Sequence, residues 1–574
     1  MTNVEIASIF ERIANLLEIK GELIYKVIAY RRAAESIRLL TTEISSMSKE
    51  DILNIPGVGQ AITEKINEML TTGRLEFLQK LESEVPPSLI ELLQIQDVGQ
   101  KKVALFWKQA NITTLAELEQ AALAGQLRVL SGMGEKSESR ILAGIQALKQ
   151  HKPRLPIHKA LNIAETWLEK IRKIQHLERV EIAGSLRRWK TTIGDLDFVG
   201  ATHHPEQVMQ NFASLDCINR ILSQGENKTS VECEEGLNIQ LWLQPPERFG
   251  SLWQFVTGSK EHNVRLREYA QKQKLSLSER GFVDQNLKEI LCSQEQDVYQ
   301  TLGLQYIPPE LREDHGEIQS AMNHDLPQLI SIKDIQSDLH VHTDWSDAKS
   351  TLEEMAQEAI KRGLKILAIA DHSSGSPDMD RGMDEKRLQE QRLVIEQLQK
   401  HIRDSLLILQ SVEVEILLDG TLALPDDVLV NLDLVIASMH EHHEQPRHIN
   451  TERLIKAICH PLVDIIAHPS GREVPRTEGA DLEWETIFQA ARDHQVALEI
   501  NCNPSHLDLD EIHARQAIQS GCLLTINTDS HSIFRLENIK FGIGIARRAW
   551  VSPQNVINTW SKAKLVDWLK NRKK

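Results

Sequence analysis

The feature that most constrains this chain is an alternation of short apolar runs with longer amphipathic segments, which begins at Ser337 and continues to the end of its 574 residues. Alternation of this kind indicates parallel β–α units, and seven or eight such units close into a barrel. We therefore predict a C-terminal βα barrel whose strands are the apolar runs at 337–341, 364–370, 406–412, 434–437, 465–467, 497–500 and 523–526.

Histidine and acidic residues stand at the ends of six of these seven runs, and 14 of the chain's 22 histidines lie in this region. A lone histidine at a strand end is usually a packing residue. Nine such side chains at the C-terminal rim of a barrel, where barrel enzymes place their chemistry, would be costly together without a cation. The nine candidate metal ligands are His340, His342, Asp347, His372, Glu413, His440, His468, Asp529 and His531.

The composition of this ligand set limits the metal and the reaction. Nine ligands are too many for one ion, and a mixture of imidazoles and carboxylates suits zinc, manganese or iron. Several metal ions a few Å apart are the usual arrangement for the hydrolysis of phosphoesters. We therefore expect several ions of zinc, manganese or iron in this barrel.

The first 150 residues have a helical pattern that is interrupted by three similar glycine turns, at 55–60, 95–100 and 130–135. Glycine lets the backbone approach a ligand closely, and the following helix directs its free N–H groups at an anion. A repeated turn of this kind predicts contacts to the phosphate backbone of nucleic acid. Asp97 replaces the first glycine of the middle turn, so we interpret that copy as structural. The candidate DNA-binding residues are Gly57, Gly59, Gly99, Gly132 and Gly134.

A second candidate site lies between residues 180 and 200. An apolar strand leads into the turn Gly184-Ser185, a basic stretch follows, and Asp195 and Asp197 alternate with apolar residues. Residues two apart on a strand share a face, and two carboxylates on one face suit Mg²⁺ together with substrate phosphates. The turn and Arg188 offer donors to those phosphates.

These motifs resemble family X DNA polymerases. The hairpins resemble that family's helix-hairpin-helix motifs, and residues 180–200 resemble its nucleotidyltransferase palm. The resemblance implies that Asp195 and Asp197 are catalytic metal ligands for Mg²⁺, and that deoxynucleotides are substrates. Six residues match positions that bind the incoming nucleotide: Gly184, Ser185, Arg188, Gly258, Ser259 and Asn263.

Residues 25–34 resemble the small lyase domain at the head of that family. In the family, a lysine one helical turn beyond the first hairpin forms a Schiff base with an abasic sugar, and Lys65 is the matching residue. A solvated helix lysine is the alternative interpretation. A further lysine of the family's phosphate pocket is replaced here by Ala61.

One departure bears directly on polymerisation. The family has a third aspartate on a neighbouring strand, and the matching position here is Gln240, followed two residues later by Trp242. That carboxylate normally helps to activate the primer hydroxyl. Glutamine is neutral, so we expect polymerisation to be weakened or lost, whereas binding of nucleotides or primer ends is retained.

The barrel motifs resemble the PHP (polymerase and histidinol phosphatase) family, in which all nine ligand positions are filled as they are here. That family implies a distorted (β/α)₇ barrel with a trinuclear phosphoesterase site. Behind a family X polymerase, the domain resembles the bacterial polymerase X arrangement, which implies a Mn²⁺-dependent 3′–5′ exonuclease that acts in DNA repair.

Composition narrows the setting of the protein. The chain has no apolar stretch long enough for a membrane span and no signal-peptide pattern. Its six cysteines are scattered and its net charge is −16, which argues against a disulfide framework and a nonspecific polycation. We expect a cytoplasmic protein with no membrane partner that acts on gapped or 3′-ended DNA, and a monomer, although the sequence leaves the oligomeric state open.

We predict a multidomain α and α/β architecture and three alternative functions. The alternatives are a dual polymerase and exonuclease, a nuclease with an inactive palm, and a small-molecule phosphatase on a DNA-binding chassis. The expected domains are a lyase-like helical domain with the first hairpin (1–85), a fingers-like helix-hairpin-helix domain (86–155), a palm and thumb-like region (156–318), a linker (319–335) and the barrel (336–574).

Overall fold

The computed structural model describes residues 3–38, 44–55, 57–93, 95, 98–149, 154–376, 381–402 and 404–572. The chain divides into two compact units, Met1–Pro153 and Arg154–Lys574, which we describe separately. Among the described residues, none of the helices combines the length and apolar content that a membrane crossing needs.

The first unit is helical and has its own hydrophobic core. In its first helix Ile6, Phe10 and Ile13 are fully buried, as their three- and four-residue spacing predicts. The helices are α1 (Asn3–Lys20), α2 (Ile24–Arg38), α3 (Lys49–Leu53), α4 (Gln60–Thr72), α5 (Glu76–Glu84), α6 (Leu89–Leu92), α7 (Gln100–Ala110), α8 (Leu115–Leu123) and α9 (Glu135–Lys149).

The second unit begins with the palm, whose five-stranded sheet has the strand order β2-β4-β7-β6-β5. β4 runs parallel to β7 and antiparallel to β2, and its register places Asp197 opposite Gln240. The elements of the palm are β1 (Leu155–Pro156), α10 (Ile157–Arg172), β2 (Arg179–Ile182), α11 (Gly184–Arg187), β3 (Thr192–Ile193), β4 (Asp195–Ala201), α12 (Pro205–Ala213), β5 (Ile218–Gln224), β6 (Lys228–Cys233) and β7 (Asn238–Gln244).

A thumb-like region follows the palm and packs around a separate apolar cluster. Glu295 lies buried at its centre and forms ion pairs with Arg187 and Arg312, both at 2.6 Å. The elements of this region are α13 (Phe249–Thr257), α14 (Lys260–Lys272), β8 (Ser276–Ser278), β9 (Gly281–Val283), β10 (Glu289–Ile290), α15 (Glu295–Thr301) and α16 (Glu317–Asn323).

The C-terminal part is a seven-stranded parallel sheet in sequence order, which confirms the predicted βα barrel. Its first and last strands meet, because the backbone N–H of His342 donates to Ser530 and that of Asp529 donates to His340, both at 3.0 Å. The strands are β11 (Ser337–Val341), β12 (Ile366–Ile369), β13 (Leu407–Glu415), β14 (Leu434–Ser438), β15 (Ile465–Ile466), β16 (Ala497–Asn501) and β17 (Leu524–Asn527).

Helices lie between these strands along the chain, and the first and last strands close the sheet into a nearly complete barrel. Every residue of β11, β12, β14, β15, β16 and β17 is buried, as expected for a parallel sheet that is covered on both faces. The helices are α17 (Leu352–Lys361), α18 (Glu385–Ile402), α19 (Asp426–Leu429), α20 (Arg447–Ile458), α21 (Trp484–Asp493), α22 (Glu511–Gln519), α23 (Ile539–Arg548) and α24 (Lys562–Arg572).

Candidate metal centre and palm site

The C-terminal ends of the barrel strands bring the nine predicted ligands together. β11 carries His340 and leads to His342, β13 carries Glu413, and the other ligands follow the remaining strands or lie in the loop before α17. Eight of the nine fall into three groups whose ligand atoms lie within 4.8 Å of one another. The groups are His342, Asp347, His372 and His531; His340, His342 and Asp529; and His372, Glu413 and His440.

Glu413 is the carboxylate at the centre of this cluster. Its Oε1 lies 2.9 Å from Nε2 of His468, the ninth predicted ligand, and 3.3 Å from Nε2 of His440. Its Oε2 lies 3.3 Å from Nε2 of His340 and 2.9 Å from Nδ1 of His372. One buried carboxylate therefore faces four imidazoles from four different strands.

The other side of the cluster is organised around two aspartates. Asp529 Oδ1 lies 3.1 Å from His342 Nε2 and 3.6 Å from His531 Nδ1. Asp347 Oδ2 lies 3.1 Å from the second nitrogen of the His531 ring, Nε2. Acid and imidazole groups thus alternate across the whole rim, which is the donor set that zinc and manganese share.

Several buried polar atoms in the cluster lack hydrogen bonds, and this observation tests whether metal ions fit. Within the described residues, the buried atoms His342 Nδ1, His372 Nδ1 and Glu413 Oε2 form no hydrogen bond; the last two lie 2.9 Å apart, but their geometry is not that of a hydrogen bond. Buried polar atoms are nearly always satisfied. Cations between these atoms would satisfy them, so the residues fit a group of metal ions.

His340 is oriented by a carboxylate. Its Nδ1 lies 2.9 Å from Glu499 Oε1, so its Nε2 faces the cluster, 3.1 Å from Nε2 of His342 and 3.3 Å from Oε2 of Glu413. Burial would lower the pKa of His340, but Glu499 and Glu413 outweigh it and raise this pKa. A metal ion bound at Nε2 would displace the proton that this nitrogen carries.

The charges of the cluster are strongly perturbed. Burial would lower the pKa of His440, but Glu413 and Glu415 outweigh it and raise this pKa to about 10. Burial, together with the nearby rings of His531 and His372, lowers the pKa of His342 to about 3. Without metal the cluster is a mixture of imidazolium and neutral imidazole, and metal binding would displace protons from it.

Two buried glutamates support the cluster, and our sequence analysis did not identify them. Glu499 accepts N–H groups from the backbone of His468, from Asn501 and from Asn527, besides facing His340. Glu499 lies in the sixth strand, the run to which we assigned no ligand, and an acid inside an apolar run was a visible signal.

The second of these glutamates is Glu415. It lies 2.6 Å from His440 Nδ1 and 3.5 Å from Arg453. Carboxylates behind ligating histidines orient their rings and fix which nitrogen is available to a metal. The two-residue spacing after Glu413 places Glu415 on the same face of β13, which was also visible in the sequence.

The palm brings its predicted residues together in a different way. Asp195 and Asp197 lie on one face of β4, and the carboxylate of Asp197 packs so tightly against Gly184 that a Cβ there would overlap its Oδ2. Gly184 has φ +62°, so both its backbone and its surroundings require glycine. Burial, and then the charge of Asp195, raises the pKa of Asp197 to about 7.

Each of the predicted nucleotide-binding side chains beyond this turn makes contacts within the protein. Arg188 donates to the Thr257 carbonyl and, from Nε, to Glu313 at 3.0 Å. Ser259 caps α14 by accepting the His262 N–H. Asn263 donates to the Phe255 carbonyl and accepts from Gln254. Gly258, with φ +69°, lies close to the Arg188 guanidinium, whereas Ser185 is half-buried in α11.

The glycine turns of the first unit share one geometry. In each of them a backbone N–H three residues into the turn donates back at 3.0 Å: Val58 to Ile55, Val98 to Ile95 and Met133 to Leu130. The next glycine precedes a helix, and no atom lies within 4 Å of a Cβ built at Gly59, Gly99 or Gly134. The turns therefore present an open backbone at the starts of helices α4, α7 and α9. Asp97 lies outside the described residues.

Lys65 lies on α4, the helix that follows the first hairpin. Its side chain is half-buried, and its ammonium group stands 4.9 Å from the centre of the Phe77 ring and 3.4 Å from the carbonyl oxygen of Ala61. Phe77 stacks in turn on Tyr30. Phe77 therefore offers the Lys65 amine a cation–π contact.

Comparison with known proteins places these sites in a family. The chain is 35% identical over 573 residues to the DNA polymerase/3′-5′ exonuclease PolX of Bacillus subtilis (strain 168), which covers 99% of this chain and 100% of the relative. The chain belongs to the PolX family. Family models for a helix-hairpin-helix domain, a SAM-like helix-hairpin-helix tandem, a DNA polymerase beta thumb and a PHP domain match residues 1–75, 89–147, 252–313 and 338–503.

The barrel has relatives outside PolX. It is 30% identical over 249 residues to a probable phosphatase of Thermoanaerobacter sp. (strain X514), covering 41% of this chain and 95% of the relative. It is 29% identical over 251 residues to the probable phosphatase YcdX of Escherichia coli O81 (strain ED1a), covering 41% and 94%. As a PolX, the chain thus combines polymerase modules with a barrel that also occurs alone.

Proposed function

We propose that the barrel of this PolX enzyme is a metal-dependent 3′–5′ exonuclease that removes nucleotides from DNA ends. The observation that carries the proposal is the cluster around Glu413. Its imidazoles and carboxylates come from distant parts of the chain, and three of its buried atoms, in His342, His372 and Glu413, form no hydrogen bond. The similarity to Bacillus subtilis PolX over the whole chain supports DNA as the substrate.

The nine clustered side chains would hold up to three ions, Mn²⁺ or Zn²⁺. Bound ions of this kind activate water and stabilise the charge on a departing phosphoester oxygen. Glu413 would position the imidazoles of four strands, and Glu499 and Glu415 would fix the orientation of His340 and His440. The protein also excludes bulk water, since His340, His342 and Glu413 are almost completely buried.

The hairpins of the first unit would hold the DNA. The starts of helices α4, α7 and α9 expose backbone N–H groups beside glycines that leave room for a phosphate, and helix N-termini favour anions. Gly57, Gly59, Gly99, Gly132 and Gly134 are the proposed contacts to gapped or 3′-ended DNA in repair.

Two further activities follow from the family with less support from the site. We propose that polymerisation in the palm is impaired, because the position of the third aspartate is Gln240 and its amide donates to Asp195 at 2.9 Å. We also propose Lys65 as the Schiff-base lysine of a lyase activity, because it lies on α4, the helix that follows the first hairpin. A monomer that acts in the cytoplasm is consistent with the six free cysteines.

The proposal is tested by degradation of a 3′-labelled single-stranded DNA in the presence of Mn²⁺. We expect His340→Ala and Asp529→Ala each to lower the rate at least about a thousand-fold, equivalent to about 4 kcal/mol in the transition state. His203→Ala, an exposed histidine of the palm, serves as the control. Wild-type rates in both barrel variants would refute the assignment.

A small-molecule phosphatase is the second candidate function. It is favoured by the two probable phosphatases that match the barrel alone. Rates on p-nitrophenyl phosphate and on single-stranded DNA separate the two. Faster turnover of the small ester at equal concentrations of phosphate groups would favour the phosphatase.

A further inference from the structure

One carboxylate on the metal side of the palm is bound by a group of the protein itself. The Gln240 amide donates a hydrogen bond to Asp195 Oδ2, so a neutral donor occupies the place where the family has a third acid. An amide N–H directed at a carboxylate oxygen competes with a cation for the same lone pair.

A lysine interacts electrostatically with both aspartates. Lys228 on β6 pairs in register with Trp242 on β7, and its Nζ lies 3.8 Å from the centre of that indole ring. Burial lowers the pKa of Lys228, while Asp197 and Asp195 act in the opposite direction. Trp242 also directs a buried Nε1–H toward Asp197 without completing a hydrogen bond.

These groups do not fit a pair of divalent ions. Two Mg²⁺ ions need several carboxylates and water molecules around them, whereas this pocket offers two carboxylates, an amide N–H and an ammonium. A cation brought beside Lys228 would meet like charge in a partly buried site, where the repulsion is weakly screened. Of the two carboxylates, Asp195 is already bound by the Gln240 amide.

Arg188, the predicted phosphate-binding arginine of the palm, is linked to the barrel through hydrogen bonds. Glu313 Oε1 accepts from Arg188 Nε at 3.0 Å and from Nη1 of Arg548, on helix α23 of the barrel, at 2.9 Å. Arg548 also donates to the carbonyl of Arg188 at 2.7 Å and to Glu511 at 2.8 Å. Its side chain is only 2% exposed, so this joint is buried between the palm, the thumb-like region and the barrel.

We propose that the nucleotide site of the palm has been converted into a structural joint, in which Lys228 and Gln240 replace the catalytic metal ions and Arg188 holds the barrel through Glu313. The inference rests on the proposed weakness of the palm and extends it. The palm then takes up no divalent ions, and the only metal-dependent chemistry of the described residues lies in the barrel.

The first test counts the Mn²⁺ ions bound by the full chain, using the electron paramagnetic resonance signal of free Mn²⁺ after removal of metal with EDTA. We expect the double variant Asp195→Asn/Asp197→Asn to bind as many ions as the wild type. Asp216→Asn, whose side chain in the palm is 93% exposed, is the matched control, and circular dichroism checks folding.

A double variant that lost one or two ions would overturn the proposal. A wild type that bound no Mn²⁺ at all would contradict the proposed exonuclease of the barrel. It would not contradict the proposal that the palm binds no divalent ions. The two proposals can therefore fail separately.

The second test rebuilds the site. We expect Lys228→Gln/Gln240→Asp to bind at least one Mn²⁺ more than the wild type, and with at least ten-fold higher affinity than Gln240→Asp alone, because Lys228 still repels the ion in the single variant. Equal binding by the single and double variants, whether strong or absent, would show that Lys228 is not the obstacle and would refute its role.

The third test concerns the joint. We expect Arg188→Met and Glu313→Gln each to lower the midpoint of thermal unfolding by several degrees, and the two changes together to lower it little further, because both break the same contact. Lys272→Met on α14, at an exposed position, is the control. An Arg188→Met variant that melted with the wild type would contradict the joint.

Discussion

The palm and the barrel both gather carboxylates on neighbouring parallel strands, but they balance the charge in opposite ways. In the palm, Asp195 is met by an amide and both aspartates by the charge of a lysine. In the barrel, Glu413 and Asp529 are surrounded by imidazoles, some of whose nitrogens have no partner. A neutral imidazole offers a nitrogen lone pair to a metal ion, whereas an ammonium group and an amide N–H offer none.

A cluster of acids is therefore not by itself evidence for a metal site. The groups that already bind the carboxylate oxygens have to be considered as well. In the barrel these groups are imidazoles that can bind metal ions, whereas in the palm an oxygen of Asp195 is bound by the Gln240 amide.

The largest effect on metal binding and activity is expected from a substitution at the centre of the barrel cluster. Replacing Glu413 by Gln removes the charge shared by four imidazoles, so we expect loss of bound Mn²⁺ and at least about a thousand-fold lower exonuclease activity. Elemental analysis and degradation of labelled DNA measure the two effects. Glu444→Gln, 78% exposed in the loop after His440, should behave as the wild type, and a metal-replete Glu413→Gln protein would contradict our account.

A smaller effect is expected one layer further out. Glu499 accepts three N–H groups and faces His340, so a Gln at this position turns one acceptor into a donor and leaves two N–H groups opposed. We expect Glu499→Gln to weaken Mn²⁺ binding by about 10–100-fold, measured by titration, with exposed Glu485→Gln as control. Unchanged affinity would mean that His340 needs no support.

Lowering the pH tests the ion pairs that Glu313 forms between the palm and the barrel. Burial alone would raise the pKa of Glu313, but Arg548, Arg188 and Lys190 outweigh it and lower this pKa to about 2. A carboxylate whose pKa falls on folding stabilises the protein above its unfolded pKa of about 4.5, and this stability is lost as the pH falls toward 2. The contribution is at most about 3 kcal/mol.

We therefore expect the wild type to lose stability steeply between pH 4.5 and 2, and Glu313→Gln to show a shallower loss from a lower starting point. Denaturant unfolding at several pH values measures both slopes. Parallel slopes in the two proteins would indicate that the joint carries no linked protonation.

The smallest effect on stability is expected at Lys65, which lies outside both sites. Its half-buried side chain contacts the Phe77 ring and the Ala61 carbonyl and should contribute less than about 1 kcal/mol to the free energy of unfolding, so Lys65→Ala should fold normally. Borohydride trapping on DNA with an abasic site should give a covalent adduct with the wild type and none with this variant, whereas Lys80→Ala should still be trapped. Equal trapping of the Lys65→Ala and wild-type proteins would remove Lys65 from the proposed lyase.

The sequence predicted the parts of the molecule that follow from short-range patterns. Its seven apolar runs correspond to β11–β17 within a few residues, because a buried parallel strand has to be continuously apolar. The ends of those strands converge on one rim, so the candidate ligands can be listed from the sequence alone.

Contacts that depend on packing between distant segments could not be predicted. Nothing in the sequence places Lys228 over Trp242, since the pairing depends on the register of β6 with β7. Glu313 and Arg548 are separated by 235 residues, and the joint that they form depends on how the barrel packs on the palm. The sequence shows that Gln240 stands where the family has an acid, but it does not show that the Gln240 amide binds Asp195.

The barrel has a consequence for how the protein matures in the cell. His340 lies in the first strand and His342 directly follows it, whereas Asp529 and His531 follow the last strand. Among the described residues, the backbone joins the two edges at only a few points. Ions bound by residues of both edges would hold the first and last strands together. We expect a chain synthesised under manganese starvation to unfold first between these two strands, so that the supply of a trace nutrient would govern its lifetime as well as its activity.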